Sequence, residues 1–303
     1  MSKYVLEPYD SALVEILENG KRQSNRTGID TLSVFGLHRV YEIGEYFPVL
    51  TRRKMYPKSI FAELIWFLSG STNINDLEKL GSGIWTPWRN KAFEKKHGYV
   101  DGAIGPCYGY QLRNFGGKYL DGSHQPHVLE KDYSYPFNNS LIGTCGYDQL
   151  SYMINTLRND PTSRRNLISL WNPRDIFEAI LPPCALYFQI LCDVENKELT
   201  GFLTQRSGDM PIGIPQNISF YSAFIYLLAQ QTGYKPHKLI HNIGDAHIYV
   251  NQLNAVEKYL SRETLSSPKL EIRIRSNILD YEVEDFNLID YIPLPSIKIP
   301  VTV

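Results

Sequence analysis

The run Leu181-Pro182-Pro183-Cys184 decides how this chain is read. It is answered 22 positions beyond the cysteine by Arg206, within Gln205-Arg206-Ser207-Gly208-Asp209, and then by Pro215-Gln216-Asn217. A cysteine is an enzyme nucleophile only as a thiolate, and a nearby arginine is one way to favour that form. An arginine–serine pair also suits a phosphate dianion, because the guanidinium fork takes two oxygens and the hydroxyl a third. A carboxamide close behind can read the polar edge of a base. Nucleophile, phosphate grip and base reader together indicate covalent chemistry on a nucleotide. Each piece alone has a blander reading, and Cys192, at the far end of the apolar run, is read as a buried small thiol.

Outward from that stretch, residues 165–171, 185–194 and 199–206 are apolar at strand length. Residues 219–232 read as a long buried helix stopped by Gly233, residues 246–260 as another helix, and residues 269–275 as a strand. Toward the N-terminus, Ala12, Leu13, Ile16 and Leu17 mark an amphipathic helix over 9–19, and residues 31–50 alternate as strands do. The clearest helix spans 59–69, where Ile60, Leu64, Phe67 and Leu68 form one stripe that also contains Glu63. A carboxylate on an apolar face is costly unless paired or functional, which makes Glu63 a candidate. Strands and helices mixed without strict alternation predict an α+β fold.

The 303 residues contain no linker, repeat or low-complexity stretch, so a single domain over 1–303 is expected. A hydrophobic content of 43% can bury a sizeable core, and a net charge of −1 argues against a nucleic-acid polymer as partner. Cys107, Cys145, Cys184 and Cys192 show no zinc-site spacing, so no metal is expected. No segment resembles a signal peptide or a membrane span, and a reducing cytoplasmic setting suits a free thiol.

In order along the chain stand Arg26-Thr27-Gly28, Leu32-Ser33-Val34-Phe35-Gly36, Glu63-Leu64-Ile65-Trp66-Phe67-Leu68-Ser69-Gly70 and Ile84-Trp85. Tyr108-Gly109-Tyr110-Gln111, Ser163-Arg164-Arg165, Trp171-Asn172-Pro173-Arg174-Asp175 and Gly244-Asp245-Ala246-His247-Ile248-Tyr249 complete the series with the stretch quoted first. Through these motifs the chain resembles the thymidylate synthase family from about Tyr9 to Val303. The resemblance implies a large twisted mixed sheet, covered by helices on one face and by a second subunit of a homodimer on the other. It implies one-carbon transfer from 5,10-methylenetetrahydrofolate to C5 of dUMP, through a covalent bond between Cys184 and C6. Arg206 would serve the thiolate and bind the 5′-phosphate with Ser207 and Arg26, while Arg164 and Arg165 would reach the neighbouring subunit's phosphate. Asn217 would donate to O4 of uracil and accept from N3–H, where relatives acting on dCMP carry an aspartate. His247 and Tyr249 would bind the sugar 3′-hydroxyl. Glu63 would relay protons to O4 through water, and Tyr108 would lie near the departing C5 proton. Asp209 would hold the pterin ring, while Ile84, Trp85, Trp88, Leu181, Ile212, Gly213, Gln216 and Val303 would wall and close the folate site. Residues 114–147 look like a surface insertion without chemistry, in which His124 and His127 face solvent.

Three departures from the family pattern bear on the product. The usual histidine after the cysteine is Ala185, the usual phenylalanine before the base reader is Gln216, and the histidine of a C-terminal Pro-His-Pro is Leu294. After carbon transfer, C5 carries an exocyclic methylene; a hydride from the folate makes dTMP, whereas water makes 5-hydroxymethyl-dUMP. Hydride transfer needs a dry, stacked site. Ala185 and Gln216 therefore predict a dUMP hydroxymethylase, like relatives in phages with modified DNA. Trp85, Trp88 and the terminal valine point to the alternative, thymidylate synthase. Retention of Cys184, Glu63, Tyr108, Asn217 and the arginines speaks against an inactive or RNA-binding relative.

Overall fold

The computed structural model describes residues 2–123 and 146–301. Eight α-helices run, among these residues, as α1 (Glu7–Asn19), α2 (Pro57–Ser69), α3 (Ile74–Lys79), α4 (Lys91–His97), α5 (Tyr108–Asn114), α6 (Gln149–Asn159), α7 (Gly213–Thr232) and α8 (Leu253–Leu260). The strands are β1 (Lys21–Gln23), β2 (Thr31–Glu42), β3 (Leu167–Ser169), β4 (Ala185–Asp193), β5 (Glu198–Asp209), β6 (Lys235–Tyr249), β7 (Lys269–Ile272) and β8 (Phe286–Ile289). One six-stranded sheet in the order β1-β2-β6-β5-β4-β3 carries the fold, with β7 and β8 paired apart from it. Only β5 and β6 are parallel neighbours; the other pairs are antiparallel. The fold is α+β, as expected.

A parallel pair needs a crossover, and here it is α7, a 20-residue helix that covers the sheet between β5 and β6. Its close approach depends on two glycines of β5. A Cβ at Gly201 would come within 2.5 Å of Ile225, and one at Gly208 within 2.5 Å of Ile214. Beneath α7 the strands turn in Leu199, Leu203 and Gln205 from β5, and Leu239, His241 and Ile243 from β6, all buried. The alternate residues, among them Tyr187, Phe202 and Ile240, are only partly covered, and Phe35 and Leu191 are exposed. One sheet face thus builds the core, and the other retains an incompletely covered apolar surface.

The helix ends follow local chemistry. Pro8 and Pro57 sit in the first turns of α1 and α2, where a missing N–H loses nothing. Gly70 and Gly233 end α2 and α7 in the left-handed conformation. The helix expected over 246–260 is corrected: Ala246–Tyr249 finish β6, and α8 begins only at Leu253. Ala246 pairs with both Val34 and Gly208, so ladders on two sides outweigh local helical spacing. The alternation over 31–50 yields a strand only to Glu42, and β3 and β7 are shorter than expected, whereas α7 starts earlier, at Gly213.

The base of the expected insertion is closed by reciprocal main-chain hydrogen bonds between Phe115 and Tyr147. His124, His127, Cys145 and Val303 lie outside the described residues. Beside this base, Arg113 of α5 forms a two-pronged pair with Asp148, each bond 3.0 Å, and donates to the Leu68 carbonyl. Both side chains are nearly sealed, 1% and 6% exposed, and Asp148 also caps α6 through the N–H groups of Leu150 and Ser151. Removing one partner strands a buried charge. Asp148→Ala is therefore expected to lower the unfolding free energy in urea by about 3–5 kcal/mol. A loss of only about 0.5 kcal/mol, typical of an exposed pair, would contradict this.

Candidate active site

The β5–α7–β6 crossover brings the C-terminal end of β5 to the first turn of α7, the place where open sheets bind ligands. Cys184 directly precedes β4, and its carbonyl accepts from the Arg206 N–H at 2.8 Å, so cysteine and arginine face each other across adjacent strands. The Arg206 guanidinium is held by three groups. It donates to the carbonyls of Pro182 (2.8 Å) and Pro183 (2.9 Å), and it lies over the Trp171 ring at 5.7 Å. That leaves Nη2 3.7 Å from Cys184 Sγ. The proline pair is thus a docking edge for the arginine that serves the sulfur. From the other side, the Cys184 N–H donates to the Tyr108 phenol oxygen at 2.7 Å, and the phenol keeps its own proton to donate.

At Ala185, the residue after the cysteine, lies a cavity of about 60 Å³, lined by Glu63, Gln205 and Asn217 and by the rings of Phe67, Trp85, Tyr108, Phe220 and Tyr221. A space of this size accommodates ordered water. Glu63 is 8% exposed within the apolar face of α2. Its Oε1 accepts from the Trp85 indole at 2.6 Å and its Oε2 from the Gln216 amide at 3.2 Å. Burial raises its pKa from 4.5 to about 7, against the pull of these two donors. The carboxyl is therefore poised to exchange protons near neutral pH.

A second polar line orients Asn217. His241 is buried and its pKa is pushed down to about 3, so the ring is neutral. Its Nε2 lies 2.5 Å from Gln205 Oε1, and the Gln205 amide donates to Asn217 Oδ1 at 3.1 Å. With Oδ1 facing Gln205, the Asn217 amide nitrogen is directed elsewhere. The sequence by itself marks neither His241 nor Gln205 as a site residue. The signal is a polar residue on the buried side of a strand, but residues 235–245 do not show that strand until β6 pairs on both edges.

Farther along β5, Asp209 accepts from the Ile212 N–H at 3.1 Å and from Gln252 at 3.3 Å, and burial raises its pKa. Gln252 also donates to the Pro300 carbonyl at 3.0 Å, tying the C-terminal segment to this carboxyl. His247 and Tyr249 meet edge to face at 5.2 Å. Thr27 bonds to the Tyr249 hydroxyl, and the charge of Arg26 acts on that phenol. Ser207 pairs with Asp245 beside them. Trp85 packs against Trp88 and Tyr108, while Ile84 and Leu181 sit half-buried against the core and Gly213 opens α7. Arg164 and Arg165 stand apart, exposed in the turn before edge strand β3, and do not join the Cys184 cluster within one protomer. Among the described residues no group of three or more His, Cys, Asp or Glu is placed to hold a metal, and no helix is long and apolar enough to cross a membrane.

A partly buried cysteine, an arginine near its sulfur, a buried carboxyl and an oriented carboxamide are thus gathered around one small cavity. The thymidylate synthase family model matches residues 7–303. Human thymidylate synthase is 40% identical over 97% of this chain and 90% of its own length. Thymidylate synthases of human herpesvirus 8 and Mycoplasma mobile are 38% and 37% identical, covering 97% and 98% of this chain and 83% and 100% of theirs. The chain belongs to the thymidylate synthase family. It is a one-carbon transferase acting on dUMP, with methylenetetrahydrofolate as co-substrate.

Glu63 links this site to stability. Because its folded pKa of about 7 exceeds the ordinary 4.5, the native state binds the proton more tightly than the unfolded chain. The resulting stabilisation is fully present below about pH 4.5 and is lost as pH rises through about 7. Glu63→Gln, which carries no charge, is expected to remove this slope and to be the more stable form at pH 8, by up to about 3 kcal/mol. Melting temperatures of both proteins at pH 5 and pH 8 check it; equal shifts at the two pH values would contradict it.

Proposed function

We propose that the chain converts dUMP to dTMP by reductive methylation, releasing dihydrofolate. The observation that carries this reading is the engagement of Gln216. Hydroxymethylation is the expectation raised by Ala185 and Gln216 together, the second because it offers a polar group to the folate wall. Its amide instead donates to Glu63 Oε2, so that group is committed to a carboxylate. The aromatic contacts of Trp85 with Trp66, Trp88 and Tyr108 keep the adjoining wall apolar. An apolar, stacked wall favours hydride over water. The relatives described above also bear the name thymidylate synthase, and none is named a hydroxymethylase.

In this reading Cys184 adds to C6 of the base while Arg206 supports the sulfur and, with Ser207 and Arg26, grips the 5′-phosphate. Asn217, aimed by Gln205, donates to O4 and accepts from N3–H. Glu63 passes a proton to O4 through water in the cavity, which stabilises the enolate-like adduct that attacks the one-carbon unit. Tyr108 stands by the proton that leaves C5. As that proton leaves, the carbon–nitrogen bond to the folate breaks and C5 carries an exocyclic methylene; a hydride from the freed tetrahydrofolate completes the methyl group while the Cys184–C6 bond breaks, leaving dihydrofolate. Asp209 holds the pterin; Ile84, Trp85, Trp88, Leu181, Ile212 and Gly213 enclose the folate. The half-covered sheet face, with Phe35, Leu191 and Phe202, receives a second copy of the chain, whose Arg164 and Arg165 complete the phosphate site.

With dUMP and methylenetetrahydrofolate, the expected products are dTMP and one equivalent of dihydrofolate, read by mass spectrometry and absorbance. Tetrahydrofolate with 5-hydroxymethyl-dUMP would overturn the reading. Cys184→Ser is expected to lower turnover at least about 10³-fold while dUMP still binds, as measured by calorimetry. For the shared site, mixing Cys184→Ala and Arg165→Ala chains should restore activity through heterodimers carrying one intact centre. No recovery in mixtures that sediment as dimers would exclude Arg165.

A further inference from the structure

We propose that Gln216 is a positioning residue, which fixes the Glu63 carboxylate from the first turn of the helix that also carries Asn217. The two oxygens of Glu63 are held by different parts of the chain. Oε1 takes the indole N–H of Trp85, whose ring is packed by Trp66, Trp88 and Tyr108. Oε2 takes the Gln216 amide, and Gln216 is the side chain of the described residues that reaches this oxygen. Across the cavity stands Ala185, whose methyl offers no hydrogen bond. Without Gln216, one oxygen of a buried carboxylate would face only the cavity.

The backbone placement makes this contact more than a local patch. Gln216 is adjacent to Asn217, and α7 is anchored here by Ser219, which donates to the Pro48 carbonyl at 2.6 Å. The group that reads the base and the group that steadies the proton relay therefore share one rigid turn. In the family pattern an apolar residue precedes the base reader, so this chain has put its polar side chain where the carboxylate can use it.

Other titratable groups around Glu63 are Tyr221 of α7, Tyr108 of α5, Cys107 just before it, and Cys184 beyond. Burial pushes the Cys107 thiol up to about 12 and raises both tyrosines, so these three are neutral near pH 7. No cationic side chain among the described residues contributes to holding the carboxylate charge, and the two neutral donors oppose the burial. Losing one donor must favour the protonated form.

The role of the carboxylate in catalysis rests on the proposed function, but its positioning is measurable on the protein alone. The Glu63 titration is read from the carboxyl infrared band between pH 5 and pH 9, as the difference between the protein and its Glu63→Gln variant. Gln216→Met keeps the volume but removes the donor, and should raise the midpoint by about one pH unit. Gln216→Glu sets an acid against an acid and should raise it further. An unchanged midpoint in both variants overturns the proposal. In turnover, the limb of the kcat profile set by Glu63 should move by the same amount, with KM for dUMP within about twofold. A shifted infrared midpoint in a protein that does not turn over dUMP would count against the proposed function and leave the positioning intact. A shifted midpoint with an unmoved kcat limb would show that Gln216 positions a carboxyl that does not relay the proton.

Discussion

A parallel strand pair cannot be closed by a tight turn, and that constraint organises this molecule. The chain leaves β5 and must return along α7 before it can enter β6 beside β5. The return places the start of α7 at the end of β5, and so sets Asn217 opposite Gln205 and within reach of the strand that carries Arg206. The antiparallel neighbour β4 then presents Cys184 to the same arginine. Gly201 and Gly208 let the helix lie close enough for these distances to hold.

Around that scaffold, polar groups are buried at a cost and used in pairs. Trp85, Glu63 and Gln216 form one line, and His241, Gln205 and Asn217 another; Glu63 and Trp85 of the first and Gln205 and Asn217 of the second line one cavity. The neutral His241 fixes which end of the Gln205 amide faces Asn217, which in turn fixes how the carboxamide is turned. In the first line a carboxyl stays buried with only neutral donors, which keeps its proton mobile near neutrality. A site of this kind trades stability for a titratable group held still.

The second sheet face has the opposite character. Tyr187 and Phe202 stack there, and Phe35 and Leu191 lie open to solvent. An apolar face of a central sheet is a surface that association removes from water. Arg164 and Arg165 lie exposed in the turn before its edge strand β3.

Much of this was present in the order of residues. Proline and glycine punctuation and apolar spacing located α1, α2 and α7 and the strands around Cys184, because these signals act within a few residues. Glu63 stood out as a charge on an apolar stripe, and motif order placed Cys184, Arg206 and Asn217 in one family. The chain could not declare that residues 246–249 are strand, since that depends on ladders to β2 and β5 far away in sequence. Nor could it show His241 as a buried partner of Gln205. Gln216 is the sharpest case: as a letter in the sequence it suggests a wetter folate wall and hydroxymethylation. Only packing of α7 against α2, which sets its amide 3.2 Å from Glu63, decided that the group serves the carboxylate, because a hydrogen bond between residues 153 positions apart exists only in the folded chain.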